Sequence, residues 1–524
     1  MNSHIIMLAA ENDALPGGKV GGIGDVVRDV PPVLARRGVR VTVLTPSYGA
    51  LAELPGAVRL SALEVGFGGS SQHVELYRVP GKREVDGVEH WVLEHPLFAA
   101  GGPGKIYCDD PPQRPFATDA SKFALFCLAA AELIAQQQSP LPDVIHLHDW
   151  HAALFLLLRR YHPAYRQLQT VRCVFTIHNL ALQGIRPLGG DSSSLATWYP
   201  GLHCEHALVA DPRWPDCLNP MAVGIRLADA VHTVSPSYAN EILRSSAVEA
   251  NGYYGGEGLE GDLLVAHEQQ RLQGILNGCE YPDPPPVATP WPALLDMLRE
   301  QVLRWVGEGS SVNSAQFIAH ARLSKLTRRR PGLLLTSVGR ITDQKMRLLQ
   351  TRLADGRWAL EALLEVLGKR GVLLLLGSGD TDYEQFLTTI AGRCSNLIFL
   401  RGYSDPLAQA LYASGDLFLM PSSFEPCGIS QMLAMRAGQP CLVHQVGGLK
   451  DTVQPGVNGF GFNGSSLSKQ AQDMVDCLQA ALALQSEQPQ RWQALCEAAR
   501  AARFSWEDSI SAYLHQLYAL PDAS

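Results

Sequence analysis

Short apolar runs alternate along the chain with longer stretches whose apolar positions recur every three or four residues. Ile5–Ala10, Val39–Leu44, Val144–Leu147, Cys173–Ile177 and Ala230–Val234 form a first series of runs. Leu333–Val338, Val372–Leu376, Leu397–Leu400, Leu417–Met420 and Pro440–His444 form a second. Most are rich in Val, Ile and Leu, and they predict parallel strands covered on both faces. The intervening spacing predicts helices over Ala120–Gln136, His151–Tyr161, Pro236–Ser245, Arg357–Lys369, Asp382–Cys394 and Pro406–Ala413. Strand and helix alternating twice over predict an α/β protein of two doubly wound domains. The break falls near the glycine-rich NGYYGGEGLEG, residues 251–261, and a proline-rich stretch at 280–292 predicts an extended surface segment.

Composition narrows this picture. At 524 residues the chain is too long for one core. A net charge of −8 gives no basic excess for nucleic acid. The 11 cysteines include no CxxC pair, which points to reduced thiols and a cytoplasmic home. The first residues lack a basic region and a signal-peptide core, and no run approaches the ~18 apolar residues of a membrane span.

Five stretches carry candidate chemistry, all at expected strand ends, where doubly wound sheets bind ligands. KVGGIGDVV (19–27) places Lys19 and a glycine turn containing Gly21 and Gly22 before a helix start, with Asp25 inside it. Free N–H groups there suit a phosphate, although the spacing is neither GxGxxG nor GxxxxGK[ST]. HLHDWH (146–151) holds three histidines and Asp149, but matches no zinc spacing and reads better as a polar substrate loop. FTIHNLALQG (175–184) ends a strand at His178 and Asn179. SVGRITDQKM (337–346) offers Arg340 and Lys345, two cations suited to a diphosphate leaving group. The stretch 420–453 puts Glu425 in a turn, a helix start at Cys427, Gly428, Ile429 and Ser430, and a second start at Gly447 and Gly448.

These motifs, together with TVSPSYANEI, GGEGLEGDL, GILNG and GGLKDTV, resemble the bacterial glycogen synthases and plant starch synthases, in that family's order and near its spacing. The resemblance implies a retaining glucosyltransferase of the GT-B architecture, two Rossmann-like domains facing a cleft that closes on substrate. It implies an N-terminal acceptor domain over 1–262 and a C-terminal donor domain over 263–503. The segment 504–524, with FSWEDSISAY, is then the terminal helix crossing back to the first domain. It further implies ADP-glucose as donor, the non-reducing end of an α-1,4-glucan as acceptor, and release of ADP, with no metal or other cofactor. Lys19, Arg340 and Lys345 then neutralise the departing phosphate. The His178 carbonyl faces the sugar's positive charge, and its side chain binds a hydroxyl. Glu425 holds the donor glucose, Tyr403 stacks on the adenine, and N–H groups near Ile429 and Ser430 bind phosphate. Asp25, Asp149 and Asn179 line the sugar side.

The chain departs from the family pattern at Ser423, where arginine is usual, at Met346, where glycine is usual, and at Ala437, where an aromatic is common. About two extra residues lie between Glu11 and Lys19, and residues 300–330 do not match the usual linker. UDP-glucose, a small acceptor such as glucose 1-phosphate, and a catalytically silent glucan-binding homologue are the alternatives. Glycogen-dependent nucleotide release separates them.

Overall fold

The computed structural model describes residues 3–136, 140–309 and 313–520. The chain forms two compact units. The first is organised on a nine-stranded sheet. Its strands are β1 (His4–Leu8), β2 (Arg40–Pro46), β3 (Val58–Phe67), β4 (Ser70–Val79), β5 (Val88–Glu94), β6 (Val144–His148) and β7 (Arg172–Ile177). After a two-residue ladder of β8 (Arg186–Pro187) with β9 (Cys217–Leu218), β10 (Ala230–Thr233) and β11 (Leu272–Gly274) complete it. The order is β11-β10-β7-β6-β1-β2-β5-β4-β3.

Burial explains why the apolar runs became strands. Ile6 and Leu8 of β1 join the core on one face of the sheet, and Ile5 and Met7 join the core on the other. Side chains alternate across a strand, so a continuous apolar run is what a doubly covered strand requires. β3 and β4 are different: they pair antiparallel, and β3 buries only Leu63, Val65 and Phe67. Their polar alternation and the Gly68-Gly69 turn, with φ of 63° and 78°, make a hairpin that a search for continuous apolar runs passes over.

The second unit has six parallel strands: β12 (Leu333–Val338), β13 (Gly371–Gly377), β14 (Leu397–Arg401), β15 (Leu417–Met420), β16 (Cys441–His444) and β17 (Gly459–Phe462). Their order is β14-β13-β12-β15-β16-β17. Leu333 and Leu335 enter one core, and Leu334 and Val338 the other, which repeats the two-faced logic of the first sheet. The stretch 300–330, opaque in the sequence, lies mostly in helices Trp291–Glu308 and Ser314–Lys325, and residues 310–312 are outside the described residues. No described helix is long and apolar enough to cross a membrane.

The units do not divide at the expected position 262. Gly255–Gly278 stays with the first unit, because the helix Glu260–Glu268 leads into β11, which pairs with β10. Ser246–Tyr254 instead belongs to the second unit. There the Asn251 carbonyl accepts from Gln470, and the Tyr254 ring lies 4.3 Å from that of Phe424. From Trp506 onward the chain belongs to the first unit. Trp506, Ile510, Tyr513, Leu514, Leu517 and Tyr518 are buried with Ile5, Met7 and Val30, and Trp506 Nε1 donates to Asp29 at 3.3 Å.

Candidate active site

Among the parallel strands of each sheet the strand order reverses once, between β1 and β6 in the first and between β12 and β15 in the second; the antiparallel β5-β4-β3 meander adds a further turn at the first sheet's edge. Such switch points open a crevice at the carboxyl ends of the strands. Most of the candidate residues lie in segments that follow these strands or their neighbours.

In the first unit β1 feeds the glycine-rich turn. Glu11, 2% exposed, follows that strand. Its Oε2 accepts from Val20 N–H at 2.8 Å and Gly21 N–H at 2.5 Å, and its Oε1 from the Tyr107 hydroxyl at 2.8 Å. The sequence pattern gave the turn's N–H groups to a diphosphate. At Gly21 the structure gives them to a carboxylate of the chain itself. The reason is local: a buried carboxylate needs donors, and the unsatisfied amides before the helix Gly22–Arg36 are the nearest. Gly24 is buried against this arrangement, and a Cβ there would lie 3.3 Å from Glu11 Oε2. Gly22 is exposed and unobstructed. Lys19 pairs with Asp25 at 2.6 Å and reaches Asp13 at 3.9 Å. Asp13 also takes Lys82, at 2.6 Å, and Arg28. Lys19 is thus held between carboxylates at the mouth of the turn.

The ends of β6 and β7 are tied together by Asp149. It begins the helix Asp149–Tyr161 with φ of 55°, a conformation uncommon outside glycine but more accessible to Asp. Its Oδ1 accepts from the His178 N–H at 2.7 Å, and so fixes the backbone on which the His178 carbonyl sits. Burial pushes the Asp149 carboxyl up to about 8, against the pull of the His178 and Asn179 N–H groups. The His178 ring hydrogen-bonds His148, Nε2 to Nδ1 at 2.9 Å, and burial drives both imidazoles well below the usual histidine range. Asn179 turns its Oδ1 to the N–H of Ala181 at 2.9 Å, so its side chain shapes the loop.

In the second unit Arg340 follows β12 and is exposed, with no ion pair among the described residues. Lys345 lies in the single turn Asp343–Met346. Glu425, 7% exposed, lies in the turn after β15. Lys345 Nζ donates to Glu425 Oε2 at 2.7 Å, and Ser422 Oγ donates to the same oxygen at 2.9 Å. Two hydrogen bonds zip these segments together: backbone Ser423 N–H to the Gln344 carbonyl at 2.7 Å, and the Gln344 side-chain Nε2 to the Phe424 carbonyl at 3.0 Å. Met346 is 3% exposed and joins the core with Ile341 and Leu348, which gives its side chain a packing role. Nothing in the structure explains Ser423, whose Oγ has no hydrogen-bond partner among the described residues.

Gly447 and Gly448 prove to be shaping residues for the Glu425 turn. Gly447 has φ of 44°, and a Cβ there would lie 1.9 Å from the Glu425 carbonyl oxygen. Gly448 donates to that same oxygen at 3.0 Å, and its Cβ would lie 2.2 Å from the Cys427 carbonyl oxygen. Gln431, fully buried, donates to the carbonyls of Cys427 and Gly428, at 3.2 and 2.8 Å. The helix Ser430–Arg436 follows Ile429, and Ser430 Oγ accepts from the Tyr412 hydroxyl at 3.0 Å. Tyr403, just after β14, is 64% exposed, with its hydroxyl 3.4 Å from Asp405.

Glu11, Ser422, Gln344 and Gln431 were not singled out in the sequence. A lone carboxylate just past an apolar run and before a glycine turn was a signal for Glu11. The other three depend on partners that only the folded turns bring near.

Comparison with known proteins adds to this geometry. Residues 4–264 match the family model described as the starch synthase catalytic domain, and residues 332–480 match the one for glycosyl transferases group 1. The chain is 33% identical over 538 aligned residues to a glycogen synthase of Streptococcus equi subsp. zooepidemicus, covering 97% of this chain and 98% of the relative. A glycogen synthase of Desulfitobacterium hafniense is 31% identical, with 97% of each chain covered. Among solved structures, the catalytic domain of starch synthase IV from Arabidopsis thaliana, bound to ADP and acarbose, is similar with a TM-score of 0.73 and 26% identity, covering 99% of both chains. A sucrose-phosphate synthase from Thermosynechococcus elongatus shares the fold, with a TM-score of 0.54 and 18% identity.

Proposed function

Because the chain belongs to the glycogen and starch synthase family of GT-B hexosyltransferases, we propose that it moves glucose from ADP-glucose to the non-reducing end of an α-1,4-glucan, with retention and release of ADP. The observation that carries this reading is the Lys345–Glu425–Ser422 cluster, with Arg340 in the same segment after β12 as Lys345. Glu425 Oε2 is occupied by Lys345 and Ser422, while Oε1 makes no hydrogen bond among the described residues. That oxygen is the acceptor for donor-glucose hydroxyls. An ammonium has three donors, and only one of Lys345's is spent on Glu425. The others, with the Arg340 guanidinium, meet the charge that grows on the departing phosphate, a contribution of several kcal/mol where such groups are held in place. Because these cations serve the phosphate, the reaction needs no metal.

His178 presents its backbone carbonyl to the positive charge that develops on the sugar, and Asp149 keeps that carbonyl in position. Lys19 serves the anionic end of the donor once its pairing with Asp25 is exchanged for phosphate. Tyr403, being exposed, is available to stack on the base. The N–H groups near Ile429 and Ser430, behind the Gly447–Gly448 contact, take a phosphate oxygen. The bound ADP and acarbose of the Arabidopsis structure support the ligand classes assigned here. Incubation with ADP-glucose and a defined maltooligosaccharide is expected to give a ladder stepping by one hexose, fully erased by an α-1,4-specific exoglucosidase. A ladder resistant to that enzyme, or none, would contradict the reading.

A further inference from the structure

We propose that Tyr518, close to the end of the described chain, is a positioning residue for His178, acting through a directed line of hydrogen bonds and a stack of imidazole rings. The inference rests on the role given to His178 above.

The line starts at a fixed acceptor. The Ile275 carbonyl can only accept, and His232 Nε2 lies 3.3 Å from it, so Nε2 carries the proton. His232 is neutral in its buried site, which leaves Nδ1 as an acceptor. Thr176 Oγ1 lies 2.9 Å from that Nδ1 and therefore donates its only hydrogen there. Thr176 Oγ1 must then accept from His146 Nε2, 2.6 Å away. His146, also buried and neutral, is left with a bare Nδ1, and the Tyr518 hydroxyl lies 2.8 Å from it. Tyr518 is 1% exposed, so its hydroxyl has no water to turn to and donates to His146. One carbonyl thus dictates the direction of four successive hydrogen bonds and ends on a residue 372 positions from His146 in sequence.

The ring stack carries this order toward the site. His146 lies against His148, with centroids 4.3 Å apart and planes 28° apart. His148 lies against His178 at 5.2 Å and 27°, and hydrogen-bonds it at 2.9 Å. His148 Nε2 is buried without a partner among the described residues. Orphaned buried N–H groups are rarer than under-satisfied acceptors, which places the His148 proton on Nδ1, donating to His178 Nε2. His178 then keeps its own proton on Nδ1. A tilt of His146 displaces the ring below it, and with it the partner that sets this tautomer of His178.

The terminal segment is built for such a part. It closes in a single π turn, Tyr513–Tyr518, a rare form that recurs at functional positions. The turn stands Tyr513 and Tyr518 edge to face at 6.0 Å, and Tyr513 also edges against His232 at 4.9 Å. Arg172 pins the turn by donating to the Leu517 carbonyl at 2.6 Å.

The test uses full-length protein labelled with 15N-histidine, with the imidazole tautomers read by long-range 1H–15N correlation. Wild type is expected to show neutral His146 and His232, each protonated at Nε2. Tyr518→Phe is expected to shift the signals of His146, His148 and His178. It is also expected to lower kcat about ten-fold while KM for glucan and affinity for ADP stay within about two-fold. Thr176→Val breaks the same line from its middle and is expected to act alike, which covers failure of either variant to fold. Leu517→Ala removes packing from the same turn without touching the line; it is expected to lower Tm and spare kcat. Unmoved His178 signals with unchanged kcat in Tyr518→Phe would overturn the proposal, as would an equal loss of kcat in Leu517→Ala. Should wild type transfer no glucose from any nucleotide donor, the functional reading falls. The spectra alone then decide whether Tyr518 orders His178.

Discussion

Glu425 and Lys345 form the most consequential pair in the second unit, and each is buried enough that its partner matters. Glu425→Gln keeps the shape and the Ser422 contact but removes the charge that orients Lys345. Turnover is expected to fall by about 10²-fold or more, with Tm nearly unchanged, since a preorganised electrostatic group acts mainly on the transition state. Steady-state kinetics beside a thermal melt check this; turnover within two-fold of wild type, as an order-of-magnitude bound, would contradict the role. Glu11 is expected to behave in the opposite way. Its carboxylate satisfies two backbone N–H groups and a tyrosine hydroxyl. Glu11→Ala strands those donors and is expected to cost about 1–3 kcal/mol per buried group left unsatisfied. A denaturant midpoint unchanged from wild type would show that the turn holds its shape without it.

At the scale of elements, the Glu425 turn and the Gly447–Gly448 helix start are one packed object. Gly448→Ala brings a methyl carbon within 2.2 Å of a backbone oxygen, so the turn must move. Turnover is expected to fall while the far core, and most of Tm, survive. Gly261→Ala, in the helix Glu260–Glu268 with open space around it, is the matched control and is expected to be neutral or slightly stabilising. Equal behaviour of the two would remove the packing argument. Elements of this unit were legible in the sequence to very different degrees. β12, β13 and β15 were plain because a strand buried on both faces has to be a continuous apolar run. The strand-end rule places Lys345 and Glu425, 80 residues apart, each at the carboxyl end of a strand. β3 and β4 were not legible in the same way, since one face is wet and alternation dilutes the run. Nor were the helices Leu467–Glu487 and Pro489–Ala501, each buried along a narrow stripe only. Glu11 escaped because its donors are defined by a turn that the sequence assigned to an external phosphate.

The whole molecule carries its titratable burden unevenly. In the first unit His4, His90 and His232 are lowered to about 4 and His151 to about 3, chiefly by burial, and His146, His148 and His178 lie well below the usual value for the same reason. Each is neutral when folded and takes a proton when unfolded below its ordinary value of 6.5. The unfolded state therefore binds more protons between pH 6.5 and about 4, and stability is lost as pH falls through that window. Each such group adds up to about 1.4 kcal/mol per pH unit, so a few suffice against a total of ~5–15 kcal/mol. Asp149, raised to about 8, and Glu94, raised by burial, work the other way, favouring the folded state at low pH, but they are two groups against seven. Calorimetry at about pH 7, 5.5 and 4, spanning that window, is expected to show the first unit's transition falling steeply with acid and the second's much less. Parallel shifts of both would contradict this assignment.

The most direct test of the central claim is nucleotide release by the purified chain, with ADP-glucose and UDP-glucose in parallel, each with and without glycogen. Glycogen-dependent release of ADP, far exceeding release of UDP, is the expected result. Release that ignores glycogen, that favours UDP-glucose, or that fails with both donors would contradict it.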